Sequence, residues 1–78
     1  MENKKPTQCD RIIQYIKDFG SITQMEALVD LGCMRLASRI SELRKAGHKI
    51  TRVMETTKNR YGESVRFARY AFEVEDNG

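Results

Sequence analysis

In the run "RLASRISELRK", residues 35–45, cations and small hydroxyls recur every three or four positions at Arg35, Ser38, Ser41 and Lys45. Coiled into a helix at about 100° per residue, these side chains share one face. That face suits nucleic-acid chemistry. A guanidinium can donate two parallel hydrogen bonds to guanine O6 and N7, and an ammonium can meet a phosphate. Serines are short enough to let a helix backbone approach a groove floor. A second cluster lies in "KNRY", where Lys58 and Arg60 alternate with Asn59 and Tyr61. Two cations beside two hydrogen-bonding side chains, at a loop tip, suit a phosphate backbone, its sugars or a narrow minor groove.

Catalytic chemistry has no comparable cluster. His48 is the only histidine and follows the end of a helical pattern, where the helix dipole favours a cation. Cys9 and Cys33 form no CxxC pair and have no partners for zinc. The chain has no glycine-rich phosphate loop, no carboxylate cluster and no nucleophile–base pair at suggestive spacing. The expectation is a binding protein rather than an enzyme, with no cofactor and no metal.

Length and composition bound the rest. Seventy-eight residues allow one domain with a small core. A hydrophobic fraction of 40% and a charged fraction of 32% describe a folded, soluble chain. No apolar run approaches the roughly 20 residues of a membrane span, and "MENKKPTQ" has no apolar signal region. A cytoplasmic protein with reduced thiols and no membrane partner is expected. The net charge of +3 is unevenly placed. From Arg35 to Arg69 there are ten cations and three acids, before it four cations and five acids, and after it three acids. Such asymmetry predicts a polyanion-binding face.

The elements that must position these residues follow from periodicity. Residues 1–7 read as a disordered leader. In "QCDRIIQYIKDFG", Cys9, Ile12, Ile13, Ile16 and Phe19 recur at helical spacing, Thr7 and Asp10 supply a start and Gly20 a stop. This gives a first helix over 8–19. Ile22 is a short extended residue. Thr23 with Glu26 three residues on forms a capping box for a second helix over 24–31, with Ala27, Leu28 and Leu31 inward. Leu36, Ile40 and Leu43 form the inward stripe of a third helix over 34–46, closed by Gly47. Met34, Arg35, Ser38, Ser41, Glu42 and Lys45 then face outward. Arg39 and Arg44 flank the stripe, where they can reach phosphates or pair with acids of the protein. After Gly47 the period becomes two, predicting antiparallel strands over 49–57 and 64–74 around the loop "NRYG". Residues 75–78 read as a frayed tail beyond a domain spanning 8–74. Tyr70 and Phe72 should cover the core, and Phe67 and Arg69 fall on the other strand face. Arg66 alternates with Tyr70 but lies near the tip, which leaves its orientation open. Phe67 covers either a neighbouring element or a partner.

Three helices followed by a two-stranded antiparallel hairpin is an α+β arrangement. The segments "GSITQMEALVDLGCMRLASRISELRKAGHKI" and "VMETTKNRYGESVRFARY" resemble the small winged helix-turn-helix proteins of bacteriophages and mobile elements, over nearly all of residues 8–72. The resemblance implies binding to double-stranded DNA, often in regulation, with helix three in the major groove and the hairpin as a wing. Read onto this chain, Arg35 can reach guanine, Ser38 and Ser41 allow close approach to the groove with Lys45 on the same face, and Arg39 reaches phosphates or pairs with acids of the protein. Lys58 and Arg60 lie on the backbone or in the minor groove, and Asn59 and Tyr61 hydrogen-bond phosphate or sugar. Tyr61 has the alternative of packing on its own hairpin. Two further partners stay open: a second copy of the chain, and a host enzyme, such as a defence nuclease, inhibited through the same scaffold. RNA is a weaker third, because no strand carries paired aromatics in an RNA-recognition pattern.

Overall fold

The computed structural model describes residues 7–73, in the order α1 (Gln8–Phe19), β1 (Ile22–Thr23), α2 (Gln24–Leu31), α3 (Leu36–Lys45), β2 (Ile50–Lys58) and β3 (Ser64–Phe72). The leader and tail expected from sequence lie outside these residues, except Thr7. Thr7 caps α1: its side chain accepts the Asp10 N–H, and the Asp10 carboxylate accepts the Thr7 N–H. Thr23 and Glu26 make the same reciprocal box for α2. Each box satisfies two of the amide donors that a helix start leaves open.

The sheet has three strands, where a two-stranded hairpin was expected. Its order is β1-β3-β2. β1 pairs antiparallel with β3 through Ile22↔Tyr70 and Thr23↔Arg69. Two residues are too few for alternation to register, and their partners lie far along the chain. The pairing also sets the start of α2, because Thr23 is both a strand residue and the N-cap.

The core joins one to three residues from each element. Ile12 and Ile16 come from α1, Ile22 from β1, Ala27 from α2, and Leu36, Ile40 and Leu43 from α3. Cys33, Ile50 and Tyr70 complete it, with Phe72 packed alongside. Leu28, expected inward, is 44% exposed. On an eight-residue helix, fully buried Ala27 fixes the inward direction, and Leu28 is turned about 100° from it. Helix α3 begins two residues later than expected, with Arg35 at its N-cap position. It ends in a Schellman closure: the His48 N–H donates to the Leu43 carbonyl and the Gly47 N–H to the Arg44 carbonyl, with Gly47 at φ +105°.

Candidate nucleic-acid interface

Helix α3 presents two unlike sides. Leu36, Ile40 and Leu43 are buried, while Ser38, Ser41 and Lys45 are exposed on the opposite side. Arg35 is exposed just before the first turn and gives no side-chain cap. The first amide of α3 is instead held by a residue that sequence reasoning missed. Gln24 Oε1 accepts the Leu36 N–H at 2.9 Å, and Gln24 Nε2 donates to the Cys33 carbonyl at 2.8 Å. One side chain from the first position of α2 thereby fixes the turn between α2 and α3. The only sequence signal was its place directly after the capping threonine.

Arg39 is tied within the protein. Its Nη1 lies 2.8 Å from Glu42 Oε2, and its Nε donates to Gln8 Oε1 at 3.3 Å. Glu42 also accepts from the Cys9 thiol, at 3.7 Å to Sγ. Partial burial, and then the Glu42 carboxylate, push the Cys9 thiol above its ordinary range. This cluster fastens α3 to the start of α1. Arg44 Nε donates to the Ile50 carbonyl at 3.1 Å and fastens the other end of α3 to β2.

The hairpin tip divides its residues between shape and display. Asn59 Oδ1 accepts from the Tyr61 and Glu63 N–H groups, and its Nδ2 donates to Glu63 Oε1 at 2.9 Å. Its amide, expected on a phosphate or sugar, is engaged in building the turn, together with Gly62 at φ +78°. Lys58, Arg60 and Tyr61 are left in solvent, and Tyr61 is 83% exposed.

Register decides what each hairpin face carries. Ile50, Arg52, Met54 and Thr56 stand opposite Phe72, Tyr70, Ala68 and Arg66. Because side chains alternate, the face that covers the core at Tyr70 continues outward as Arg52, Thr56 and Arg66, with no acid among them. This places Arg66, whose orientation alternation alone left open, and adds Arg52. The other face carries Val53, Glu55, Thr57, Val65, Phe67 and Arg69. Phe67 is half-buried there, lining a groove of about 500 Å³ between the hairpin and the start of α2, beside Met25, Glu26 and Arg69. Arg69 donates from Nε to Glu55 Oε2 at 2.9 Å, and that bond, ahead of other influences, raises its pKa.

Among the described residues, Arg39 and Arg69 form ion pairs, whereas Arg35, Lys45, Arg52, Lys58, Arg60 and Arg66 are exposed and form none. Those six belong to the front of α3, the core-side face of the hairpin and its tip; Arg11 and Lys17 on α1 and Lys49 before β2 are likewise exposed without an ion pair.

Residues 7–75 match the winged helix-turn-helix domain family. The chain belongs to that family. No curated protein and no solved structure matches it. Within the winged helix-turn-helix, α2 and α3 are the helix pair and the β2–β3 hairpin is the wing. Such domains are typically DNA-binding modules without catalysis, and the family points to DNA as the partner. No group of three or more metal-ligating side chains occurs among the described residues. No described helix is long and apolar enough to cross a membrane.

Proposed function

We propose that this winged helix-turn-helix binds double-stranded DNA sequence-specifically, as a small regulator encoded by a phage or mobile element. The observation that supports this best is the sorting of cations. Arg39 and Arg44 at the edges of α3 and Arg69 on the hairpin are tied down within the protein, and Arg35, Lys45, Arg52, Lys58, Arg60 and Arg66, on the front of α3 and along the wing, are free. In this reading Arg35, Ser38 and Ser41 enter the major groove, with Lys45 on the flanking phosphates. Lys58, Arg60 and Tyr61 hold the backbone or minor groove beyond it. Arg39 and Asn59 act by shaping α3 and the wing tip. The phage or mobile-element setting rests on the resemblance of the "SITQMEAL" and "RLASRISELR" segments.

The test is the salt dependence of duplex binding, followed by selection of preferred sequences from a random pool. With about four to six phosphates neutralised, log K should fall against log salt with a slope of about −3.6 to −5.4. Selection should return a short common site. A slope near zero, or no duplex binding at low salt, refutes DNA binding. Steep binding without any selected site refutes sequence specificity alone.

A second reading is favoured by the outer side of α2. Met25 is 67% and Val29 70% exposed, and both lie beside exposed Leu28 on one helix face. That apolar face suits a host protein, inhibited by an accessory factor on the same scaffold. Recovery of a stoichiometric host protein that survives nuclease treatment supports it over DNA, and recovery of DNA alone rejects it.

A further inference from the structure

We infer that Arg69 sets the angle of the wing against the helix-turn-helix, so that the affinity supplied by the wing passes through this one side chain. The inference rests on the DNA-binding reading only for its consequence, and not for the geometry.

Arg69 sits where three elements meet. From β3 its Nε reaches Glu55 Oε2 on β2 at 2.9 Å. Its Nη1 reaches Ser21 Oγ, in the link between α1 and β1, at 3.1 Å. The same nitrogen lies 3.9 Å from Glu26 Oε1, the oxygen that accepts the Thr23 N–H in the capping box of α2. The guanidinium carbon stands 6.0 Å from the centre of the Phe67 ring. A guanidinium is flat, and its donors leave at fixed angles. Partners from a strand, a loop and a helix start therefore determine the plane of the group, and with it the direction of β3.

Past Arg69, Ala68 packs against the core and Phe67 lines the groove beside Met25, and beyond these two the wing has little to hold it. Residues 56–58 and 64–66 are exposed on both strands. The edge pairing to the body is two residues long and ends at Thr23↔Arg69. The tip at Gly62 is seven residues beyond Arg69, or about 23 Å at roughly 3.3 Å per residue. A swing of about 10° at Arg69 moves the tip by about 4 Å, which exceeds the latitude of a hydrogen bond to phosphate. Glu55 and Arg69 occupy the wing face opposite Arg52 and Arg66, so the clamp leaves the free cations untouched.

The experiment has two arms on the full chain. Residual dipolar couplings of backbone amides report the wing direction without DNA. In Arg69→Met the couplings of residues 54–66 should shrink or change sign while those of α1 and α3 hold. Arg69→Lys, which keeps the charge and loses the fork, should restore them only in part. Unchanged wing couplings in Arg69→Met overturn the proposal. The second arm is a double-mutant cycle on duplex affinity. Arg69→Met alone should weaken binding about tenfold and make the salt slope shallower by one to two. In a Lys58→Ala, Arg60→Ala, Arg66→Ala background it should weaken binding less than twofold. An equal loss in both backgrounds means that Arg69 acts through the body of the domain, and also overturns the proposal. If the wild-type chain binds no duplex, the DNA reading has failed and the couplings still decide the clamp. Should Arg69→Met not fold, Glu55→Gln, which removes the shorter ion pair at constant size, replaces it in both arms.

Discussion

Gln24→Ala tests how the helix-turn-helix is held. The substitution removes an acceptor 2.9 Å from the Leu36 N–H and a donor 2.8 Å from the Cys33 carbonyl. A hydrogen bond of this kind contributes about 0.5–1.5 kcal/mol net, giving about 1–3 kcal/mol for the pair. Both bonds are only part-buried, so water can take over some of the pairing and the lower half of that range applies. At about 4–8 °C per kcal/mol in a domain this small, the melting temperature should fall by roughly 5–15 °C. Gln24→Glu separates the two bonds. Its carboxylate can still accept from Leu36 but sets a second oxygen against the Cys33 carbonyl. A negative charge at the first position of α2 recovers about 0.3–1 kcal/mol from the helix dipole. The decisive feature is acid rescue: protonation restores a donor toward Cys33. The carbonyl raises the folded-state pKa of that carboxyl, so the deficit relative to wild type should close as pH falls through a value above the ordinary one of about 4.3. Thermal melts by circular dichroism from neutral pH to about pH 3.5 measure both effects. An unchanged melt for Gln24→Ala, or a Gln24→Glu deficit that does not narrow on acidification, refutes the reasoning.

Ile40→Ala, at a side chain 1% exposed, should destabilise by about 2–5 kcal/mol in denaturant titration, and a loss under 1 kcal/mol would mean that α3 is not seated on this stripe. The Tyr15 hydroxyl donates to Asp30 Oδ2 at 2.5 Å, and this bond pushes its pKa up to about 12. Because the folded value lies above the unfolded one of about 10, this stabilisation is complete below about pH 10 and is lost as pH rises through about 12. A tyrosinate absorbance titration should show a component near 12 that Tyr15→Phe removes, and its presence in the variant would exclude the assignment. Arg35→Ala should cost about 1–3 kcal/mol on the selected duplex and much less on random duplex, whereas Arg60→Ala should weaken both alike and make the salt slope shallower by about one. Isotherms on both duplexes at two salt concentrations check this, and a specificity ratio unchanged by Arg35→Ala removes it from the base-reading face.

The sequence by itself determined what depends on near neighbours. The capping boxes of Thr7 with Asp10 and of Thr23 with Glu26 close within three residues, and the stripe of Leu36, Ile40 and Leu43 repeats every three or four. The turn between β2 and β3 closes within five residues around Asn59 and Gly62. Such signals survive because their geometry is fixed by the chain's own period and needs no knowledge of docking. Tertiary structure decided the rest. Ile22 and Thr23 become a strand only because β3 arrives beside them, and no period shows in two residues. Leu28 turns outward because one face of a short helix is already taken by Ala27. Gln24 meets Leu36, and Arg69 meets Ser21, through hydrogen bonds spanning 12 and 48 residues. A glutamine or arginine can find many partners, and its type says nothing about which one the fold will bring near. The same holds for the cations: ten lie between Arg35 and Arg69, and only docking decides which are tied down in the protein and which remain free for DNA.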